Sequence, residues 1–93
     1  MAAIDIRRKH GKSLKDARAA VERVVKAVAK EYGFTHAWDG NTLEFSRSGA
    51  DGTIKVARDE VHIVAKLGFL MSALKPVIEQ EITRKLDKEF GKD

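Results

Sequence analysis

The side chains best suited to chemistry in this chain are three histidines and one arginine beside a glycine-rich turn. Imidazole works as a general acid or base near neutral pH and as a metal ligand. His10, His36 and His62 lack the i,i+4 spacing of a helical ligand pair and the i,i+2 spacing of a strand pair. A metal site would therefore need the fold to gather them, and none is expected. His36 shares a strand face with Phe34 and Trp38, so a hydrogen-bonded histidine at the core edge is the simpler reading. No serine stands in a G-x-S-x-G elbow or in an evident His/Asp context, which leaves nucleophilic catalysis unsupported. The chain has no cysteine, excluding disulfides, thiol nucleophiles and Cys-type zinc sites. No catalytic residue and no cofactor are expected.

The glycine-rich run Gly49-Ala50-Asp51-Gly52 is too short for a phosphate loop and is followed by a strand pattern rather than a helix. It reads as a turn, because Asp and Gly tolerate positive φ. Arg47 falls by parity on the face of Leu43 and Phe45. There it either snorkels to water or pairs with Asp51 or with a ligand carboxylate at the mouth of a groove. Beyond Gly68, the residues Phe69, Leu70, Met71 and Leu74 form an apolar cluster. Core packing is one reading of it. A groove for an apolar ligand, or a contact with a polymer surface, is the other.

Positive charge gathers at the start. Residues 1–33 hold nine Lys/Arg against four Asp/Glu, although the whole chain carries only +4. Arg7, Arg8, Lys12, Lys15 and Arg18 form a candidate basic patch that could meet nucleic acid. A solvated helix face is the plainer reading, and no aromatic side chains interleave with these cations as stacking platforms would require. Nucleic-acid binding is therefore not the favoured reading.

The elements that must position these groups are clear from periodicity. Ala3 to Lys9 alternates, with Ile4 and Ile6 on one face and Asp5, Arg7 and Lys9 on the other, as in a half-buried strand. His10-Gly11-Lys12 is a turn. Ser13 is an N-cap, with Asp16 completing an imperfect capping box. Leu14, Ala17, Val21, Val24 and Val28 stripe an amphipathic helix, with Val25 and Tyr32 beside the stripe, and Gly33 ends it. The period then falls to two. Phe34, His36 and Trp38 precede a hairpin turn at Asp39-Gly40-Asn41. Leu43, Phe45 and Arg47 follow, then Ile54 and Val56, then Val61, Ile63, Ala65 and Leu67.

Phe69 to Phe90 reads as helix with one break at Pro76, either a kink or a fresh start. Leu70, Leu74, Ile78, Ile82, Leu86 and Phe90 recur every four residues, and such a stripe drifts by roughly 40° per step on an α-helix. It cannot stay on one flat sheet face, so it must be reset, wrap an edge or meet a second subunit. The prediction is an α+β fold in the order β-α-β-β-β-β-α. A single antiparallel sheet packs against an N-terminal helix and a kinked C-terminal helix, with residues 1–93 as one domain. No apolar run approaches the roughly 20 residues of a membrane span, and no signal-peptide core appears, so a cytoplasmic protein without a membrane partner is expected.

Taken together, several motifs resemble the polyhydroxyalkanoic acid system family. They are I-x-I-x-R-x-H at Ile4, Ile6, Arg8 and His10, and A-R at Ala17-Arg18. F-x-R-S-G-x-D-G-T follows at Phe45, Arg47, Ser48, Gly49, Asp51, Gly52 and Thr53. K-L-G-F-L spans Lys66 to Leu70, and I-E-x-E-I takes in Ile78, Glu79, Glu81 and Ile82. The resemblance covers nearly the whole length. It implies a cytoplasmic bacterial protein linked to storage-polyester granules, and it brings no established reaction. The element order is also similar to a trimmed helix-grip domain, in which a C-terminal helix closes a curved sheet over an apolar cavity.

Three functions follow as expectations. The first is a non-enzymatic accessory protein that meets a storage-granule surface or a granule protein through Phe69, Leu70, Met71 and Leu74. The second is a binder of a small apolar ligand or hydroxy acid, with Arg47 gripping the carboxylate. The third is nucleic-acid binding through the basic first helix. A homodimer is compatible with all three.

Overall fold

The computed structural model describes residues 2–91. Strand β1 (Ala2–Lys9) is followed by helix α1 (Leu14–Tyr32). The strands β2 (Thr35–Asp39), β3 (Thr42–Arg47), β4 (Ala50–Val56) and β5 (Glu60–Leu67) come next. A single-turn helix α2 (Phe69–Ser72) leads into α3 (Lys75–Phe90). The predicted α+β order holds. All five strands form one antiparallel sheet in the order β1-β5-β4-β3-β2. As β1 demanded, its backbone finds partners in the same sheet, beside β5.

Helix α1 begins where Ser13 caps it. The Ser13 Oγ accepts from the Asp16 amide at 3.1 Å, and the helix stops at Gly33, whose φ of 77° is left-handed. Its apolar stripe lies against the sheet, burying Ala17, Ala20, Val21, Val24, Val25 and Ala29. In α3, Ile78, Ile82 and Leu86 are buried. The two helices share one sheet face. From the sheet side Ile4, Leu43, Ile54, Val56, Val61, Ile63, Ala65 and Leu67 complete the core. The opposite sheet face stays solvated, with Asp5, Arg7, Asp51, Lys55 and Lys66 exposed.

One feature differs from the sequence reading, and one choice that it left open is decided. The turn expected over Gly49–Gly52 is confined to Ser48 and Gly49, because Ala50, Asp51 and Gly52 already belong to β4. Ala50 is buried opposite Leu67, and this burial outweighs the turn propensity of its neighbours. A side chain at Gly52 would run into the Val64 carbonyl oxygen and lie 2.6 Å from the Phe45 ring. That glycine is therefore there for close approach, not for a turn. The break before Pro76 is a fresh helix start rather than a kink. Pro76 sits in the first turn of α3, where its missing N–H leaves no bond unmade.

Candidate interaction surface

The restart at Pro76 decides which apolar residues leave the core. The four-residue stripe holds from Ile78 to Leu86 but fails before it, where Leu70 is 84% exposed and Met71 takes the inward position. Phe69 is 88% exposed, Val77 48% and Leu74 37%. Four large apolar side chains thus stand in solvent within nine residues of chain. A folded surface scatters such residues singly and seldom clusters them.

The patch is held in place. The Gly68 amide donates to the Gly49 carbonyl at 2.7 Å, which ties the start of α2 to the β3–β4 turn. Gly49 has a φ of 87°, and a side chain there would touch Met71 Cγ at 3.4 Å. Met71 is buried and anchors α2 from below. The Ser72 amide bonds the Gly68 carbonyl at 2.9 Å, and the Ser72 hydroxyl donates to the Phe69 carbonyl at 2.8 Å. With Met71 turned in, Phe69 and Leu70 have only the outer side of that turn to occupy. No acidic residue occurs between Glu60 and Glu79, while Lys66 and Lys75 fall inside that span.

Arg47 and Asp51 do not meet. Arg47 pairs with Ala50 on the helix-covered face, whereas Asp51 pairs with Ser46 and Lys66 and is exposed on the solvated face. One residue of register separates them by the full thickness of the sheet. Arg47 donates instead to the Tyr32 carbonyl at 2.5 Å and the Ser48 carbonyl at 3.1 Å. It thereby caps the last turn of α1 beside the β3–β4 turn.

The five cations of the candidate basic patch are dispersed. Arg7 lies on the solvated sheet face, 3.5 Å from Glu60. Arg8 is buried and meets Asp87 at 2.6 Å and the Gly91 carbonyl at 3.1 Å. Arg18 lies over the Trp38 ring, 4.5 Å from its centroid. Only Lys12 and Lys15 of the five remain exposed on the helix side. The sequence reading grouped Arg8 with the exposed cations; its burial follows from its parity with Ile4 and Ile6 on β1 and from an acid on the facing helix.

The histidines also separate. His10, placed in a turn by the sequence, is the buried one. Its Nε2–H donates to the Ala57 carbonyl at 2.9 Å, its Nδ1 accepts from the Lys12 amide at 3.2 Å, and its ring lies 5.7 Å from Phe90. That partner set fits the tautomer with the proton on Nε2. His62 meets Asp5 at 2.8 Å on the solvated face. His36 is half-buried at the edge of the sheet. Among the described residues no group of three His, Asp or Glu side chains could hold a metal ion.

A cavity is expected between sheet and C-terminal helix; the apolar cavity present lies mainly between the sheet and α1, with Ile82 alone from α3, and is small. It measures about 30 Å³ and is lined by apolar groups, among them Val25, Phe34, Phe45, Ile63 and Ile82. Pockets that hold small ligands are usually about 300–1,000 Å³. No helix among the described residues is long and apolar enough to cross a membrane.

These features define a small two-layer α+β protein whose distinctive surface is a fixed apolar patch at one end of the sheet. The chain belongs to the family described as "Putative polyhydroxyalkanoic acid system protein", whose model matches residues 4–90. No curated protein and no solved structure matches it. Family membership links the chain to the polyhydroxyalkanoate system. The matched span contains both halves of the device that presents the patch, the Gly49 turn and the Gly68 to Val77 segment.

Proposed function

We propose that this protein is a non-enzymatic accessory factor that docks on storage polyester through Phe69, Leu70, Leu74 and Val77. The observation that carries the reading is the exposure of Phe69 and Leu70 on a turn tied to the β3–β4 turn by the Gly68–Gly49 bond and seated on buried Met71. Burying a Phe or Leu side chain contributes about 1.5–3 kcal/mol. Two such side chains, on a turn whose backbone is already tied down, supply a useful affinity for an apolar surface with little loss of backbone freedom. Membership of the polyhydroxyalkanoate-linked family supplies the chemical class of that surface.

The two other readings have less support. An interior cavity of about 30 Å³ has no room for a hydroxy acid, and Arg47 is spent on backbone carbonyls. The dispersed cations offer no continuous track for a nucleic-acid backbone. The test is microscopy of a fluorescent fusion in polyester-accumulating cells. Wild type and Lys15→Glu are expected on granules, and Leu70→Asp in the bulk cytoplasm. A diffuse wild-type signal would overturn the reading. Granule signal that persists in Leu70→Asp would remove the patch from it.

A further inference from the structure

The outer edge of β2 offers unpaired backbone groups that the apolar patch does not explain. Edge strands invite pairing with another chain unless something blunts them. The opposite edge, β1, is blunted: Asp5, Arg7 and Lys9 are exposed along it, and Arg8 points inward. β2, Thr-His-Ala-Trp-Asp, has one charge, at its end, and neither lysine nor proline. At five residues it has ordinary strand length, so shortness does not protect it.

We infer that β2 pairs antiparallel with the β2 of a second copy, centred on Ala37, to join two sheets into one. The strand is self-complementary in that register. Ala37 meets the partner's Ala37, which brings no charge and little bulk to the two-fold axis. His36 faces the partner's Trp38 on the helix side, a cross-strand aromatic pair made twice. Thr35 faces the partner's Asp39 on the solvated side. The Thr35 hydroxyl, now on the Ser46 carbonyl at a long 3.3 Å, can rotate to that carboxylate. No like charges are opposed.

The aromatic half of this contact is already ordered. Trp38 Nε1–H donates to Glu22 at 3.2 Å, and Arg18 lies over the ring. Pairing therefore loses little side-chain freedom at Trp38. The five-residue ladder sets a small interface, so association is concentration-dependent, with a dissociation constant on the order of micromolar or weaker.

The test is sedimentation velocity from about 10 µM to about 1 mM, a span that brackets such affinities. Wild type is expected to rise from its 10.3 kDa monomer mass toward twice that value. Ala37→Lys sets two cations together at the axis and should stay monomeric over the same span. Its side chain is exposed in the monomer, so its circular dichroism and Tm should match wild type. Leu70→Asp should dimerise like wild type. A wild type that stays monomeric at the top concentration overturns the inference. So does an Ala37→Lys protein that dimerises normally, or a dimer lost in Leu70→Asp, which would assign the interface to the apolar patch.

Discussion

The Gly68 amide and the Gly49 carbonyl meet at 2.7 Å, and this one bond joins the β3–β4 turn to the start of α2. The two residues are 19 positions apart in sequence, and neither has a side chain to offer. Their contact, with Met71 beneath, sets the direction in which Phe69 and Leu70 point. The patch is therefore a property of backbone geometry at a strand-to-helix corner.

Gly49→Ala tests this corner directly. A side chain at φ 87° is strained, although it would meet Met71 Cγ only at contact distance, 3.4 Å. The expected loss is about 1–2 kcal/mol of stability, read from urea unfolding. Hydrogen exchange should accelerate first at the Gly68 and Ser72 amides, while the amides of β1 and α1 change with global stability only.

Gly52→Ala should be the more damaging glycine substitution, although its φ is unremarkable. The added carbon meets the Val64 carbonyl and the Phe45 ring, and the backbone of the central strands cannot yield. A loss of about 2–3 kcal/mol is expected in the same measurement. A neutral Gly52→Ala would show that β4 and β5 approach less closely than described.

Asp87 holds the buried Arg8 guanidinium to the end of α3. Asp87→Ala removes the carboxylate partner of that charge while leaving its bond to the Gly91 carbonyl, and should lose about 2–3 kcal/mol, less than a fully buried pair because Asp87 reaches water. Replacing both, as Arg8→Met with Asp87→Leu, should recover most of the loss. Equal destabilisation by single and double variants would contradict the pairing.

The acid limb of stability should carry the mark of one ion pair between α1 and α3 and of one cluster within α3. Arg23 donates to Glu89 and holds its carboxyl below the usual range, and Lys85, helped by Arg84, does the same for Glu81. A lowered native value means that the unfolded chain binds the proton more readily. The contribution is therefore complete above the ordinary carboxylate value, about 4.3, and is lost as pH falls through the lower native value. Glu89→Gln should be less stable than wild type at neutral pH, and the gap should close in strong acid. A gap that widens on acidification would reverse the sign assigned here.

Much of the fold was legible in the sequence because its signals are local. Alternation in β1 and β5, the Ser13 cap, the Gly33 stop and the Asp39-Gly40-Asn41 turn each depend on a few adjacent residues. Polar partners were not legible, because they depend on which elements face one another. Arg8 was grouped with the exposed cations of the basic patch, because only the docking of α3 supplies Asp87 as its partner. His10 needed the β4–β5 turn to bring Ala57 to its ring. The Gly49–Gly52 segment misled because turn-forming residues also occur in a strand that must be approached closely. Residues 69–74 were recognisable as an apolar cluster. Which of them turned outward depended on the tie between Gly49 and Gly68.

The central claim is that Phe69 and Leu70 dock the protein on storage polyester. The most direct test is sedimentation of purified protein with polyester particles, comparing wild type with Phe69→Ser/Leu70→Ser. Both side chains are more than four-fifths exposed, so the variant should keep the wild-type Tm. Wild type should bind saturably, and the variant more than about tenfold more weakly. Wild type that fails to bind the particles, or a variant that binds as well as wild type, would contradict the account.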